Sequence, residues 1–417
     1  MTLSEELAWR GFVNQTTFKQ ISELDDTTRT FYFGVDPSAD SMQIGNLAAA
    51  MMARVFIQHG YRAILLVGGA TGMIGDPDGK SEERTLKSLD EIARNKAGIA
   101  AQYSRVFNDV PFEVVDNYDW FKNLNYLEFL RDVGKHVPMR QMLGREFVQS
   151  RLSEDGAGIS YAEFSYALIQ GYDFLHLYKE KGVTLQLCGA DQWGNSIAGV
   201  ELIRRIEGGE AHIWSTPLII NRATGRKFGK TEGGAIWLDE SKTSIYKFYQ
   251  FWLNADDEGV EEYLKIFTPL QKEAVDAVMK EFKAHPEQRH AQKTLALEVT
   301  KLVHGKARAL AVQKLSSVLF GGTPYAELEA SDFELLLGEL PVVEAIKNET
   351  TLIAGLTTAG LAPTNSEARR LLASNAVYIN GSQIPLNKTL FDDMDDIKGF
   401  AVLRVGKNKN AVVRFQA

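Results

Sequence analysis

Phe31-Tyr32-Phe33-Gly34-Val35-Asp36-Pro37-Ser38-Ala39-Asp40-Ser41-Met42-Gln43-Ile44-Gly45-Asn46 is the stretch on which the architecture turns. Three aromatic residues read as a strand, the Gly, Pro, Ser and Asp cluster as a turn, and the residues from about Ile44 as the start of a helix. A strand, a turn and a helix start bring free backbone N–H groups and the positive helix end to one point, which suits an anion. Gly45 lets a flat base or a phosphate approach the backbone, and Gln43 and Asn46 add neutral donors. An ordinary βα turn capped by Asp and Ser has the same pattern, so the segment alone leaves both readings open.

Outward from it the alternation continues. Gly45 to His59 reads as a helix, Arg62 to Val67 as a second strand, and Ser88 to Phe107 as a polar helical stretch. Phe112 to Val115 and Thr184 to Cys188 are further strands, with helices at about Tyr161 to Tyr178 and Asp191 to Ile206. Such β-α-β order predicts a parallel sheet covered on both faces, with ligands beyond the C-terminal ends of its strands. From about Lys247 to Leu319 the pattern turns helical, and Phe320-Gly321-Gly322-Thr323-Pro324 marks a boundary. An acidic segment to Glu349 reads as a linker or loosely packed helices, and a β-prone tail with its own helix at Ser366 to Ala373 follows. The expected division is therefore 1–220, 221–319, a linker at 320–349, and 350–417.

Bulk properties narrow the class. With 45% hydrophobic and 24% charged residues in 417, the chain has ample material for a core. The single cysteine, Cys188, excludes an internal disulfide and a cysteine-rich zinc site, and the seven histidines show no ligand spacing. The expectation is therefore no bound metal. The apolar run Leu47 to Ile57 is broken by Arg54 and too short to span a bilayer, and the first residues lack a signal-peptide pattern. A cytoplasmic enzyme with no membrane association is expected. Net charge is −8, yet from Thr350 onward eight lysines and arginines face five acids, leaving −11 on the first 349 residues. A basic tail on an acidic body predicts a localised polyanion contact.

Two further groupings carry chemistry. Arg226-Lys227-Phe228-Gly229-Lys230-Thr231-Glu232-Gly233-Gly234 sets two lysines among glycines, either a cationic loop able to close over a triphosphate or a solvated basic turn. Tyr166, Gln170 and Asp173 lie at i, i+4 and i+7 and so share one helix face. Three polar groups there could hold a zwitterionic amino acid with a polar tip; a partly exposed helix face reads the same way.

Together these segments resemble a known family. Gln43-Ile44-Gly45-Asn46 and Lys227-Phe228-Gly229-Lys230-Thr231, about 180 positions apart, are similar to the HIGH and KMSKS motifs of class I aminoacyl-tRNA synthetases. The second has the form typical of bacterial tyrosyl-tRNA synthetases. Val67-Gly68-Gly69-Ala70-Thr71-Gly72-Met73-Ile74-Gly75-Asp76-Pro77, Ser160 to Phe174, and Cys188-Gly189-Ala190-Asp191-Gln192-Trp193-Gly194-Asn195 also resemble that family, nearly residue for residue. The resemblance implies an α/β fold: a Rossmann-like class I catalytic domain, then a helical domain and a small α+β RNA-binding domain. It also implies activation of L-tyrosine with ATP and transfer to tRNA(Tyr), magnesium accompanying ATP, and a homodimer with its interface near Tyr161.

Site roles follow from the same resemblance. Asp173 and Tyr32 are expected at the phenolic hydroxyl, and Tyr166, Gln170 and Asp76 at the α-ammonium. Gln192 and Asp191 are expected at the carboxylate and the ribose. Gly34, Asp36, Ser38, Gly45 and Gly189 would lie close to the nucleotide. Gln43, Asn46, Lys227, Lys230 and Thr231 would contact the phosphates, assisted by Lys80 and Arg84. Arg204, Arg205, Arg369 and Arg370 would meet tRNA.

The chain departs from the family pattern in places. Gln43 and Asn46 replace the two histidines of HIGH, Ser38 replaces threonine, Phe33 a small residue beside the ribose, and Cys188 a glycine. Altered ATP affinity is the expectation. Two rivals are an RNA-binding paralogue with lapsed catalysis, and a synthetase for another aromatic amino acid such as tryptophan.

Overall fold

In the computed structural model, residues 1–77, 86–153, 155–221, 225, 228–231, 234–319, 324–406 and 409–416 are described, with backbone alone for Gln141, Glu146, Lys230 and Thr231. Lys80, Arg84 and Lys227 lie outside the described residues. The chain forms two compact units, Met1–Lys242 with Ala255–Val303, and Thr243–Asn254 with His304–Ala417. The helices expected together within 221–319 are divided between them.

In the first unit the leading elements are α1 (Leu3–Arg10), β1 (Thr30–Val35), α2 (Ile44–Gln58), β2 (Arg62–Val67), α3 (Leu89–Val106) and β3 (Glu113–Asp116). Then come α4 (Tyr161–Lys181), β4 (Val183–Gly189), α5 (Trp193–Ile206), β5 (His212–Thr216), the short hairpin β6 (Lys230–Thr231) and β7 (Gly234–Ala235), and α6 (Val260–Phe267). Five strands make one parallel sheet in the order β3-β2-β1-β4-β5. Strand order reverses beside β1, and the crevice at that switch point is where ligands of such sheets bind.

Side-chain alternation along β1 explains the two covered faces. Phe31 and Phe33 meet Phe56 and Tyr103 on one side, with ring centroids 5.9 and 6.4 Å apart. Tyr32 meets Phe174 of α4 on the other, at 5.2 Å. On that side α4 and α5 approach closely because both carry glycine at the crossing. A Cβ on Gly199 would stand 2.8 Å from that of Phe174, and one on Gly171 3.2 Å from the backbone of Ala198. Arg54, which interrupts the apolar run of α2, is buried; its guanidinium donates to the Val106 carbonyl and, at 2.7 and 2.9 Å, to both oxygens of Asp109.

α1 is docked by one buried cation. Arg10 donates to the carbonyls of Lys265, Thr268 and Leu270 at 2.7, 3.1 and 3.0 Å, satisfying carbonyls at the C-terminal end of α6. Its Nε donates to Glu6 at 2.8 Å, and Glu6 also pairs with His59 at 2.8 Å.

The second unit holds a five-stranded sheet in the order β10-β9-β11-β12-β8, from β8 (Val342–Ala345), β9 (Val377–Ile379), β10 (Ser382–Gln383), β11 (Phe400–Val405) and β12 (Lys409–Phe415). Its core gathers Leu352, Leu356, Ala368, Phe391, Leu403 and Val413. Asn380 and Gly381, both at positive φ, turn β9 into β10. β8 lies inside the stretch expected to be a linker. It is four residues long and joins the sheet edge parallel to β12, with Val343 and Ala345 buried.

Candidate active site

The turn after β1 is held from behind by α3. The Asn95 amide donates to the Pro37 carbonyl at 2.9 Å; Gln102 accepts from the Met42 N–H at 2.7 Å and donates to Ser41 Oγ at 2.9 Å. A Cβ on Gly98 would stand 2.0 Å from the Asp40 carbonyl oxygen, so the turn lies directly on the helix. Buried Asn95 and Gln102, with Gly98 between them, form the stripe of this polar helix on which the turn rests.

At the start of α2 the Gln43 N–H donates to Asn46 Oδ1 at 3.0 Å, and the Gln43 carbonyl accepts from the N–H groups of Asn46 and Leu47. Asn46 thus commits its oxygen to capping its own helix, which leaves its amide NH2 as the donor. Gly45 is exposed, and a Cβ there would meet nothing within 4 Å.

The second motif is tied to this turn through the backbone. Ile236 N–H donates to Gly229, Ile44 N–H to Ile236, and Leu238 N–H to Met42, at 3.0, 3.2 and 2.9 Å. Phe228 packs against Tyr263 and Phe267 of α6, with ring centroids 4.3 and 5.6 Å away. The hairpin bearing Lys230 and Thr231 is therefore rooted beside the α2 N-terminus.

Between these segments and α4 lies a cavity of about 690 Å3. Tyr32, Asp76, Tyr166, Gln170, Asp173 and Gln192 line it, as do Gly34, Asp36, Ser38, Gln43, Gly45, Asn46, Gly189 and Asp191. Arg204 and Arg205 do not; they stand exposed on α5, paired with Glu201 at 2.6 and 3.3 Å. Arg369 and Arg370 belong to the second unit, where Arg370 pairs with Glu367.

At the closed end Asp173 is 1% exposed and accepts from Asn117 Nδ2 at 3.0 Å and Trp120 Nε1 at 2.9 Å. Burial raises its carboxyl well above the usual range, despite those two donors. The Tyr32 hydroxyl is buried with no hydrogen-bond partner among the described residues, and burial, then the Asp173 charge, pushes its pKa up. Asn117 and Trp120 were not singled out by sequence. Their only signal is a position just after β3, at the strand end where sites of this fold collect.

A hydrogen-bonded chain runs from there along the cavity. Asn117 donates to Thr71 Oγ1 at 3.0 Å, Thr71 donates to Asp36 Oδ1 at 2.6 Å, and the Tyr166 hydroxyl donates to Asp36 Oδ2 at 2.6 Å. A Cβ on Gly68 would fall 2.2 Å from both Asp36 Oδ1 and Thr71 Oγ1, so glycine is required there. Gln192 donates to Asp76 at 2.6 Å, and Gln170 Oε1 is buried without a hydrogen-bond partner among the described residues. Cys188 is a buried thiol pushed up to about 12 by burial, hence inert at neutral pH. Phe33 is buried and lines the cavity. Among the described residues no three His, Cys, Asp or Glu side chains cluster to hold a metal.

The family model for class I tRNA synthetases (W and Y) matches residues 25–321, and that for the tyrosine–tRNA ligase SYY-like C-terminal domain matches 332–413. The tyrosine–tRNA ligases of Geobacillus kaustophilus and Listeria monocytogenes are 44% and 41% identical, each aligned over 100% of both chains. A C-terminally truncated mitochondrial tyrosyl-tRNA synthetase from Aspergillus nidulans superposes with a TM-score of 0.69 at 30% identity, covering 76% of this chain and 94% of its own. A tryptophanyl-tRNA synthetase from Encephalitozoon cuniculi has a TM-score of 0.52 at 12% identity, covering 80% and 91%, which shows a shared fold alone. Full-length identity at that level, with both family models matched in order, means that the chain belongs to the bacterial tyrosyl-tRNA synthetases.

Proposed function

We propose that the chain activates L-tyrosine with ATP, releasing pyrophosphate, and passes the tyrosyl group to the 3′ end of tRNA(Tyr). The observation that carries this reading is the closed end of the cavity. An acceptor, Asp173, and a donor with no partner among the described residues, the Tyr32 hydroxyl, are buried there together, and a phenol supplies the complement to both. Tyr166, Gln170 and Asp76 hold the α-ammonium, with Asp36 behind Tyr166 adding negative charge. Gln192 and Asp191 face the carboxylate and the ribose, and Gly34, Ser38, Gly45 and Gly189 leave room for the nucleotide.

The tyrosine carboxylate attacks the α-phosphorus, the bond to the β,γ-pyrophosphate breaks, and charge accumulates on the leaving group. Catalysis is then positioning plus charge stabilisation. The α2 N-terminus, Gln43, the Asn46 amide and the lysines of the second motif, Lys227 and Lys230 with Thr231, supply the positive potential, assisted by Lys80 and Arg84. Magnesium enters with ATP, bound through its phosphates. Arg204, Arg205, Arg369 and Arg370 meet tRNA phosphates; exposed ion pairs such as Arg370–Glu367 are cheap to exchange for them. A second copy of the chain covers the exposed face of Tyr126, Leu127 and Tyr161. The enzyme works in the cytoplasm.

Tyrosine-dependent ATP–pyrophosphate exchange tests the reading, with phenylalanine and tryptophan as controls. Exchange with tyrosine alone is expected; none with any amino acid, from folded protein, would leave the RNA-binding paralogue. In the same assay Gln43→Ala is expected to lower kcat about 100- to 1000-fold, as loss of one donor to developing charge does, with tyrosine KM unchanged.

A further inference from the structure

We propose that Arg145 is a positioning residue for the amino-acid end of the substrate, acting through Asn195 on Gln192 and Asp76. Arg145 Nη2 donates to Asn195 Oδ1 at 2.5 Å. Asn195 Nδ2 donates to Gln192 Oε1 at 3.1 Å and lies 3.5 Å from Asp76 Oδ2, to which Gln192 Nε2 donates at 2.6 Å.

The direction of this relay is set at both ends, by donors alone on Arg145 and acceptors alone on Asp76. An amide can present either end to a neighbour, but a guanidinium has donors only. The Asn195 atom beside Arg145 must therefore be its oxygen. Its NH2 then faces Gln192, which must answer with its own oxygen and so turn its NH2 toward Asp76. Remove the cation and the Asn195 oxygen loses its donor, so the amide is free to turn away from Gln192 and Asp76, which then lose the Nδ2 donor that holds them in place.

Asn195 is 1% exposed, so the relay runs through a site where an unpaired amide is costly. Space for the guanidinium is reserved at Gly194, where a Cβ would stand 2.6 Å from Arg145 Nη2. Arg145 also lies over the Phe147 ring, 5.0 Å from its centroid. It lines a separate cavity of about 220 Å3, and neither Arg145 nor Asn195 lines the larger one, so both act through Gln192 and Asp76.

This inference rests on the reading that Asp76 and Gln192 face tyrosine. It is tested by steady-state exchange on the full chain. Arg145→Met is expected to raise tyrosine KM about tenfold, the scale of one charge-assisted hydrogen bond, with ATP KM within about twofold of the parent. Arg145→Lys, which keeps a donor-only cation, recovers most of the loss. Asn195→Leu matches Arg145→Met, and the double variant is no worse than either, since links in series are not additive. If Asn195→Leu does not fold, the Met and Lys variants decide alone. An unchanged tyrosine KM in Arg145→Met, or equal rises in tyrosine and ATP KM, overturns the relay. Asp76→Asn is run beside them. A raised tyrosine KM there with none in Arg145→Met sinks the relay alone; no rise in either sinks the site assignment beneath it.

Discussion

Asparagine in place of Asp173 is expected to lower kcat/KM for tyrosine by about 10^3 or more, while phenylalanine activation changes little. Both carboxylate oxygens already accept, one from Asn117 and one from Trp120. An asparagine has one oxygen, so its NH2 must face one of these donors. The side chain then either clashes or turns away, and the phenol loses its acceptor. The ratio of tyrosine to phenylalanine activation should collapse accordingly. Its value of about 10^5 is the one already established for tyrosyl-tRNA synthetases, adopted for this chain rather than obtained from its geometry. Pyrophosphate exchange with each amino acid measures the ratio, and a variant that keeps full discrimination would remove Asp173 from the specificity site. Acid acts in the same direction. Because burial raises the Asp173 pKa, protonation removes the acceptor at a higher pH than for an ordinary carboxylate, and tyrosine KM rises as pH falls.

The second large effect concerns stability. Arg10→Met is expected to cost about 3–5 kcal/mol, because it leaves the buried Glu6 carboxylate to His59 alone and takes the side-chain donor from the carbonyls of Lys265, Thr268 and Leu270, at and just beyond the end of α6. Urea unfolding followed by tryptophan fluorescence measures this, and a loss below about 1 kcal/mol would show that the cation contributes no more than a surface pair. The pH dependence has a definite sign. Burial pushes the Glu6 carboxyl up, but hydrogen bonds from His59 and Arg10 outweigh it and hold the folded pKa below the ordinary 4.5. Its contribution is therefore complete above that value and is lost as pH falls through the folded pKa. The parent should lose more stability than Arg10→Met on acidification below about pH 4.5. Since α6 also carries Tyr263 and Phe267, against which Phe228 packs, the variant should loosen the second motif as well.

Much of the site was legible because it lies where chain direction changes. Gly34 to Asn46, Val67 to Pro77 and Cys188 to Asn195 each follow a strand of the parallel sheet, and their side chains meet at one cavity. The helix spacing of Tyr166, Gln170 and Asp173 carried those three residues with it. What escaped notice depends on contacts distant in sequence. Asn117 and Trp120 reach Asp173 across more than fifty residues, from a single helical turn (Tyr118–Phe121) and its N-cap, too short to show a period. The Asn95-Gly98-Gln102 stripe was hidden because buried and solvated polar residues have identical periodicity; only the turn lying on them separates the two. β8 is too short for alternation to register, and its burial is conferred by β12. Arg145 sits in a loop with no pattern, and only the chemistry of its neighbour identifies it.

The place of β1 in the sheet has a consequence for how the chain is made. Its partner on one side, β2, emerges from the ribosome almost at once, whereas its other partner, β4, begins 153 residues after it, with Thr30 in register with Val183. At roughly 5–20 residues per second, β1 spends about 8–30 s with one edge unpaired. Throughout that interval Phe31 and Phe33 sit beside an open row of backbone donors and acceptors, a template for wrong pairing. The strand that lines the cavity with Tyr32 thus stays half-paired through much of its own synthesis, and shielding it until Val183 arrives falls to the early cover of α2 and to whatever chaperones the nascent chain meets.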